Sequence, residues 1–155
     1  MNSLAELVSD GAVSAGVTLA GKKPLLAHLA QAAAREYGLD AQDVLERLTE
    51  RERLGSTGFG SGIAIPHGKI TGLNQIVALF VHLAHPIDFN AIDDMPVDLI
   101  FCLLSPPDAG ADHLKALALV SRWLRDPSFV AKLRGAGSSD AAMAVIAGTK
   151  VRDAA

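Results

Sequence analysis

The chain has a single cysteine, Cys102, within the apolar run from Val97 to Leu104. No disulfide can form within it, and a buried core thiol in a reducing cytoplasm is the plain reading. Aromatic residues are only 5% of the total, so the core has to be built from Ala, Leu, Ile and Val. No apolar stretch approaches the roughly 18–20 residues of a membrane span. The opening residues Met1 to Glu6 carry an acid and no basic stretch, so they do not read as a signal peptide. Any membrane role would run through a partner, without direct membrane insertion. Excess positive charge is lacking too: the net charge of −3 offers no nucleic-acid surface. What is present is apolar. Half the residues are hydrophobic and 20% charged, which excludes disorder. A chain of 155 residues can bury a sizeable single core without staples.

Local patterns divide the chain into helices, strands and helices again. Leu4 to Val8 suits a short helix and Val17 to Leu19 a short strand. Lys23 to Tyr37 is helical, with Pro24 in the first turn, Leu25, Leu26, Leu29 and Ala33 on one face, and Gly38 as the stop. Asp40 reads as the N-cap of a second helix carrying Val44, Leu45, Leu48 and Arg51, so the two form an αα-hairpin. From Gly55 to Gly62 glycine is too frequent for helix. Ile63 to Lys69 follows, with Pro66 restricting it to an edge strand. Ile76 to Leu83 and Val97 to Leu104 are strands, with a turn at Asp93 to Pro96 between them and His85 before Pro86 in a turn. The second strand is apolar on both faces except at Asp98, so helices should cover both sides of the sheet. A loop spans Ser105 to Gly110. Asp112 reads as the N-cap of a helix from His113 to Leu124, Phe129 to Leu133 as a short helix, and Ser138 or Ser139 as the cap of a last one reaching about Ala147. The tail from Thr149 to Ala155 is expected to fray. The expected fold is an α/β single-domain sandwich: a central mixed β-sheet flanked by helices on both sides, its core at about 15–148.

Of five histidines, His28, His82, His85 and His113 occupy ordinary positions on helices, a strand end and a turn, where a lone histidine is structural or solvent-facing. His67 is different. Pro66 fixes its backbone entry, Gly68 leaves room for a ligand to approach, and Gly58, Gly60 and Gly62 allow exposed amides to face an anion. A nucleophilic imidazole needs one free nitrogen, a hydrogen bond on the other, and donors for the oxygens of what it accepts. A Walker loop is excluded because no Gly-Lys-Ser/Thr follows the glycines. No Gly-x-Ser-x-Gly elbow surrounds Ser56 or Ser61, and no His-Glu-x-x-His pair supports a metal.

The run Arg51-Glu52-Arg53-Leu54-Gly55-Ser56-Thr57-Gly58-Phe59-Gly60-Ser61-Gly62-Ile63-Ala64-Ile65-Pro66-His67-Gly68-Lys69 resembles the active-site signature of the fructose/mannitol-class enzyme IIA proteins of the bacterial phosphotransferase system, in the wording of their nitrogen-related branch. Pro86 to Leu99 resembles a second block of that branch, and His113-Leu114-Lys115-Ala116-Leu117 a third, where the family has a second histidine. The likeness covers roughly residues 15–148. It implies that His67 accepts a phosphoryl group, on Nε2, from an HPr-type phosphocarrier. It implies that His113 stands beside it and that Arg51 supplies positive charge. Ser56, Thr57, Gly58 and Gly68 would shape or contact the phosphoryl pocket. No metal or organic cofactor is implied. Taken singly, Arg51 is a solvated helix-end residue, His113 an ordinary first-turn residue, Lys69 a side chain facing water, and Gly55, Gly58 and Gly60 turn formers; the joint pattern raises them. Phe59 stands where the family more often has an aliphatic residue.

The nitrogen-related branch implies a cytoplasmic regulator whose phosphorylation state is read by targets such as sensor kinases or potassium transporters, in nitrogen, carbon and potassium control. The alternative is a sugar-transport enzyme IIA that passes phosphoryl to a separate enzyme IIB. The wording around His67 and the lack of a fused IIB module within these residues favour the regulator.

Overall fold

A computed structural model describes residues 3–154. A 3-10 turn at Leu4–Leu7 leads into strand β1, Val8–Val17. Helices α1, Lys22–Tyr37, and α2, Ala41–Leu54, form the hairpin read from the sequence, with Gly38 left-handed at the stop (φ 68°). The Asp40 side chain accepts from the amides of Gln42 and Asp43, so its capping role holds. Strands β2 (Gly58–Gly60), β3 (Ile63–Ala64) and β4 (His67–Lys69) are short, and β5 (Val77–Ile87) and β6 (Val97–Ser105) are long. Helices α3 (Ala111–Leu124), α4 (Pro127–Gly135) and α5 (Ser139–Ala154) close the chain. The sheet order is β1-β5-β6-β3-β2, with β4 also on β6.

This is the mixed-sheet α/β sandwich expected. β1 runs parallel to β5, β5 antiparallel to β6, and β3 and β4 parallel to β6. Every residue of β6 except Asp98 is buried, so both of its faces are covered. Helices α1 and α2 pack together as one group, and α3, α4 and α5 as another. Cys102 lies wholly inside, where burial pushes its thiol pKa well up and keeps it inert.

One edge of β6 is shared by two strands in succession. β3 pairs with Leu99 and Ile100, and β4 with Leu103 to Ser105. Ile65 and Pro66 bridge the handover. Pro66 has no amide to offer, and its carbonyl accepts the amide of Leu103 (2.9 Å). His67 therefore enters at a fixed register, opposite Leu103 near the end of the sheet's most buried strand.

Several local expectations shift. The first strand occupies Val8–Val17 and not Val17 to Leu19: Ser9, Asp10 and Gly11 are exposed and carry no apolar period, and pairing with β5 makes them strand. His85 and Pro86 belong to β5, beyond the irregularity in its pairing with β6 after His82, where a missing amide costs nothing. The N-cap of α3 is Gly110, and Asp112 lies inside the first turn, where its charge suits the helix dipole. Asp126 caps α4 through the amides of Ser128 and Phe129, so this helix starts at Pro127 and is longer than expected. Ser138 receives the amide of Ala141, and α5 continues to Ala154, with Thr149 buried and its hydroxyl on the Ile146 carbonyl. Ala155 lies outside the described residues.

Asp98, the polar exception in β6, is held by Arg134 of α4 at 2.8 Å and by His82 of β5 at 3.5 Å. Arg134 also donates to the Ser61 carbonyl (2.7 Å), tying the β2–β3 turn to α4. Gly62 makes that contact possible: its φ is +78°, and a Cβ there would lie 2.5 Å from Arg134 Nη2 and 3.0 Å from Asp98 Oδ1. Gly62→Ala is therefore expected to lower stability by about 1–3 kcal/mol through strain and displacement of the pair. Urea unfolding checks it, and an unchanged midpoint would remove the steric argument.

Candidate functional site

Three elements bring the predicted residues together. Arg51 sits in the last turn of α2, His67 opens β4, and His113 lies in the first turn of α3. The two imidazoles are 5.6 Å apart between centroids and tilted by 51°. They line an open depression of about 400 Å3, shared with Arg47, Glu50, Leu54, Gly68 and Lys69.

The hydrogen bonds of His67 determine its tautomer. Nδ1 lies 2.8 Å from the carbonyl oxygen of Ile65, which can only accept, so Nδ1 carries the proton. Nε2 receives the Nε–H of Arg51 at 3.1 Å and must therefore hold the lone pair. Both contacts require the same neutral form. The Arg51 guanidinium is itself steered by an Nη1 bond to the Gly55 carbonyl (2.9 Å), so it cannot rotate freely away from the ring. His113 is buried, with Nδ1 2.7 Å from the Ser105 hydroxyl at the end of β6.

Both rings are kept neutral. Burial is the main cause that lowers the pKa of His67 below 6.5; the Ile65 carbonyl pulls the other way, Arg51 lowers it further, and Glu52 raises it. For His113 burial again leads, with His67 and Lys69 adding in the same direction. At neutral pH the pair thus presents lone pairs and N–H groups and no charge.

Ser56, Thr57 and Gly58, expected at the phosphoryl pocket, have their polar groups engaged elsewhere. Ser56 donates its hydroxyl to the Phe89 carbonyl (2.7 Å) and accepts the Gly58 amide (3.1 Å). Thr57, 7% exposed, directs its amide and hydroxyl to the Glu52 carboxylate. A Cβ on Gly58 would sit 2.9 Å from that of Ala91, so this glycine lets the 88–91 segment pack against the loop. Gly68 does line the depression, closed in on one side by Arg47, whose Cβ would be 3.4 Å from an added one. Phe59 borders a separate groove with Ile92 and Val130. Sequence reasoning did not single out Glu52, Lys22, Ser105 or the Ile65 carbonyl. Glu52 stood inside the quoted motif but read as part of a charged helix end; the others carry no local signal.

Among the described residues, no group of three or more His, Cys, Asp or Glu is placed to hold a metal ion, and no helix is long and apolar enough to cross a membrane. Chemically, the depression offers one aligned nucleophilic nitrogen and a guanidinium beside it, suited to an electrophile that brings anionic oxygens.

Residues 6–148 match the family described as "Phosphoenolpyruvate-dependent sugar phosphotransferase system, EIIA 2". A nitrogen regulatory protein of Bradyrhizobium diazoefficiens is 45% identical over 144 residues, 93% of this chain and 94% of that one. A fructose-specific EIIA component of Haloferax volcanii is 39% identical over 108 residues, 70% of each chain. The crystal structure of nitrogen regulatory protein IIA-Ntr from Neisseria meningitidis superposes with a TM-score of 0.85 at 34% identity, covering 92% of this chain and 98% of that one.

The tautomer and the low pKa values are open to direct measurement. In a nitrogen-15 NMR titration, His67 and His113 should both have midpoints below 6.5, His67 protonated on Nδ1 above its midpoint, and Arg51→Ala should move the His67 midpoint up. Because these folded-state values are lowered, the unfolded chain takes up protons first as pH falls. Stability is then complete above about pH 6.5 and declines from there down to the folded-state midpoints. A His67 midpoint at or above 6.5 would contradict the burial argument.

Proposed function

Because the chain belongs to the phosphotransferase enzyme IIA family, we propose that it is a cytoplasmic phosphoryl carrier and regulator that accepts a phosphoryl group on His67 Nε2 from an HPr-type phosphocarrier. Its phosphorylation state is then read by target proteins in nitrogen, carbon and potassium control, such as sensor kinases or potassium transporters. The observation that carries the reading is the division of labour on His67, with Nδ1–H on the Ile65 carbonyl and the Nε2 lone pair facing the open depression under Arg51.

In the step proposed, the Nε2 lone pair attacks the phosphorus on the carrier. The new N–P bond forms as the carrier's N–P bond breaks, and the carrier nitrogen keeps that electron pair. Arg51 has to release Nε2 first, and its forked donors then meet the phosphoryl oxygens. The ring becomes cationic on substitution, with the Nδ1–H charge stabilised by the Ile65 carbonyl. If Ser105 donates to His113 Nδ1, the His113 Nε2–H is available to a phosphoryl oxygen. Gly68 and Lys69 complete the wall, and Ser56, Thr57 and Gly58 hold it from behind. Leu54 on the rim is 85% exposed and Leu114, next to His113, 67%, which offers the carrier protein an apolar contact around the reacting nitrogen.

The likeness to proteins described as nitrogen regulatory proteins favours the regulator. The likeness to a fructose-specific component supports the second reading, transfer onward to a separate enzyme IIB during sugar uptake. The test is intact mass after incubation with phosphoenolpyruvate, enzyme I and a verified phosphocarrier. The protein should gain an acid-labile mass of about 80 Da, His67→Ala should gain none, and Arg51→Ala should be slower by about 10²-fold. Absence of a gain in the unaltered protein would falsify the carrier reading. Chasing the phosphorylated protein with a panel of enzyme IIB proteins then separates the two roles: retention of the phosphoryl supports the regulator, rapid loss the transporter.

A further inference from the structure

Behind the site lies a buried carboxylate that the transfer step above does not use. The side chain of Glu52 is 5% exposed, with Lys22 Nζ 2.7 Å away at the start of α1. It accepts the Thr57 amide and the Thr57 hydroxyl. Lys22 also donates to the Phe89 carbonyl (3.3 Å) and lies over the Phe89 ring.

From this carboxylate one route leads to the reacting atoms, and the backbone of the same residue begins a second. Thr57 is pinned by Glu52, and its carbonyl accepts the amide of Ile65 (3.0 Å), whose own carbonyl accepts Nδ1–H of His67 (2.8 Å). On the other side, the Gly55 amide bonds to the Glu52 carbonyl (3.2 Å), while the Gly55 carbonyl accepts Arg51 Nη1 (2.9 Å). One residue thus sets the loop whose carbonyls orient both the nucleophile and its cationic partner. A buried ion pair is a weak source of net stability, since an apolar pair of similar volume often serves as well. Holding a loop to a tolerance of about 0.5 Å is a task for which directed hydrogen bonds are suited.

We propose that the Glu52 carboxylate, held by Lys22 and acting through Thr57, is the positioning group of the phosphoryl site, aligning His67 and with it the Arg51 that bonds to its ring, without touching the phosphoryl group. The proposal rests on the phosphoryl-carrier reading for its kinetics but not for its geometry. Glu52→Gln replaces a pure acceptor by a group with two hydrogens facing Lys22, and loosens the loop while keeping volume. Thr57→Val removes only the hydroxyl. Thr57→Ser restores it.

The experiment compares these variants in phosphotransfer from the carrier and in nitrogen-15 NMR of the unphosphorylated protein. Glu52→Gln and Thr57→Val are expected to lose about tenfold or more in kcat, with KM for the carrier changed by less than roughly twofold, and Thr57→Ser to recover most of the rate. In the spectra of Glu52→Gln, the Arg51 Nε–H resonance should move to the position of a free guanidinium. The His67 midpoint should fall, because the Glu52 charge that raises it is gone and the Ile65 carbonyl bond that raises it is loosened, together outweighing a weaker Arg51 effect. A folded Glu52→Gln with wild-type kcat, Arg51 Nε–H resonance and His67 midpoint would overturn the proposal. If Glu52→Gln fails to fold, Thr57→Val decides: an unchanged kcat and Arg51 Nε–H resonance overturns it and loss of both supports it. If the unaltered protein takes up no phosphoryl group, the carrier reading fails, and the Arg51 resonance in the variants still decides whether Glu52 aligns the pair.

Discussion

The bond from His67 Nδ1 to the Ile65 carbonyl spans two residues across a proline, and the remaining geometry of the site follows from it. It requires Ile65 to stop pairing as a strand residue, turn its carbonyl toward the ring, and hand the edge of β6 on to β4. Pro66 makes the interruption inexpensive. It has no amide to leave unsatisfied, its φ is fixed, and its carbonyl is still used by Leu103. Without the parallel pairing of His67 with Leu103, the ring would have no fixed height above the sheet. Without the buried faces of β6, that pairing would have no rigid support. A core of aliphatic side chains thus fixes the position of one nitrogen.

That nitrogen is useful only if unprotonated, and the same burial that supports it keeps it so. Desolvation and the Arg51 charge act together to hold His67 neutral, against the opposing pull of the Ile65 carbonyl and Glu52. Arg51 therefore has a double effect. Its charge keeps protons away from Nε2, while its Nε–H occupies the lone pair that would react. A guanidinium can release one acceptor and take up others at modest cost, because it keeps several donors in a rigid plane. A lysine ammonium would lower the imidazole pKa as well, but its three donors diverge from one nitrogen and cannot form the parallel pair of bonds that a guanidinium offers to two oxygens.

Much of this was legible in the sequence, and the residues say where legibility stopped. The helices carried local signals: Asp40 as a cap, Gly38 as a stop, and the helical spacing of Leu25, Leu26 and Leu29 in α1 each state their own structure. His67, Arg51 and His113 were found through a motif in which they are separated by up to 62 residues, and the fold brings them to one depression. β1 was misplaced because Ser9 to Gly11 become strand only when β5 lies beside them, a contact 70 residues away that no local window contains. Ser56, Thr57 and Gly58 show the same limit at the site. Small polar residues in a glycine-rich loop look alike whether they face a ligand or the interior, and only the location of Glu52 and Phe89 reveals that these face inward. Glu52 itself was hidden by its neighbours, since an acid amid Glu50, Arg51 and Arg53 reads as solvated until α1 places Lys22 against it.

The inward orientation has a consequence for how a phosphorylation state could be read. With the loop hydroxyls committed behind the site, the side chains left on the outer surface of the depression are Arg47, Arg51, Lys69 and Glu50, flanked by Leu54 and Leu114. Arg47 is already paired with Glu50 and Asp43, so Arg51 and Lys69 are the cations least committed to a carboxylate there. A phosphoryl group brings a charge of about −1.5 to −2 at neutral pH, close to what those two cations can neutralise. Modification on this reading would cut the net positive charge of the depression, even with the ring now cationic, and would place anionic oxygens on Arg51 and Lys69 while leaving the apolar rim in place. A partner that rests on the leucines and offers a carboxylate to Arg51 would then meet phosphoryl oxygens already holding those donors, with the backbone unchanged, whereas a partner that offers a cation to the phosphoryl group would be accepted. The same rim can thus discriminate between two classes of target through the electrostatics of one side chain, with no need for a conformational switch in the sheet that supports it.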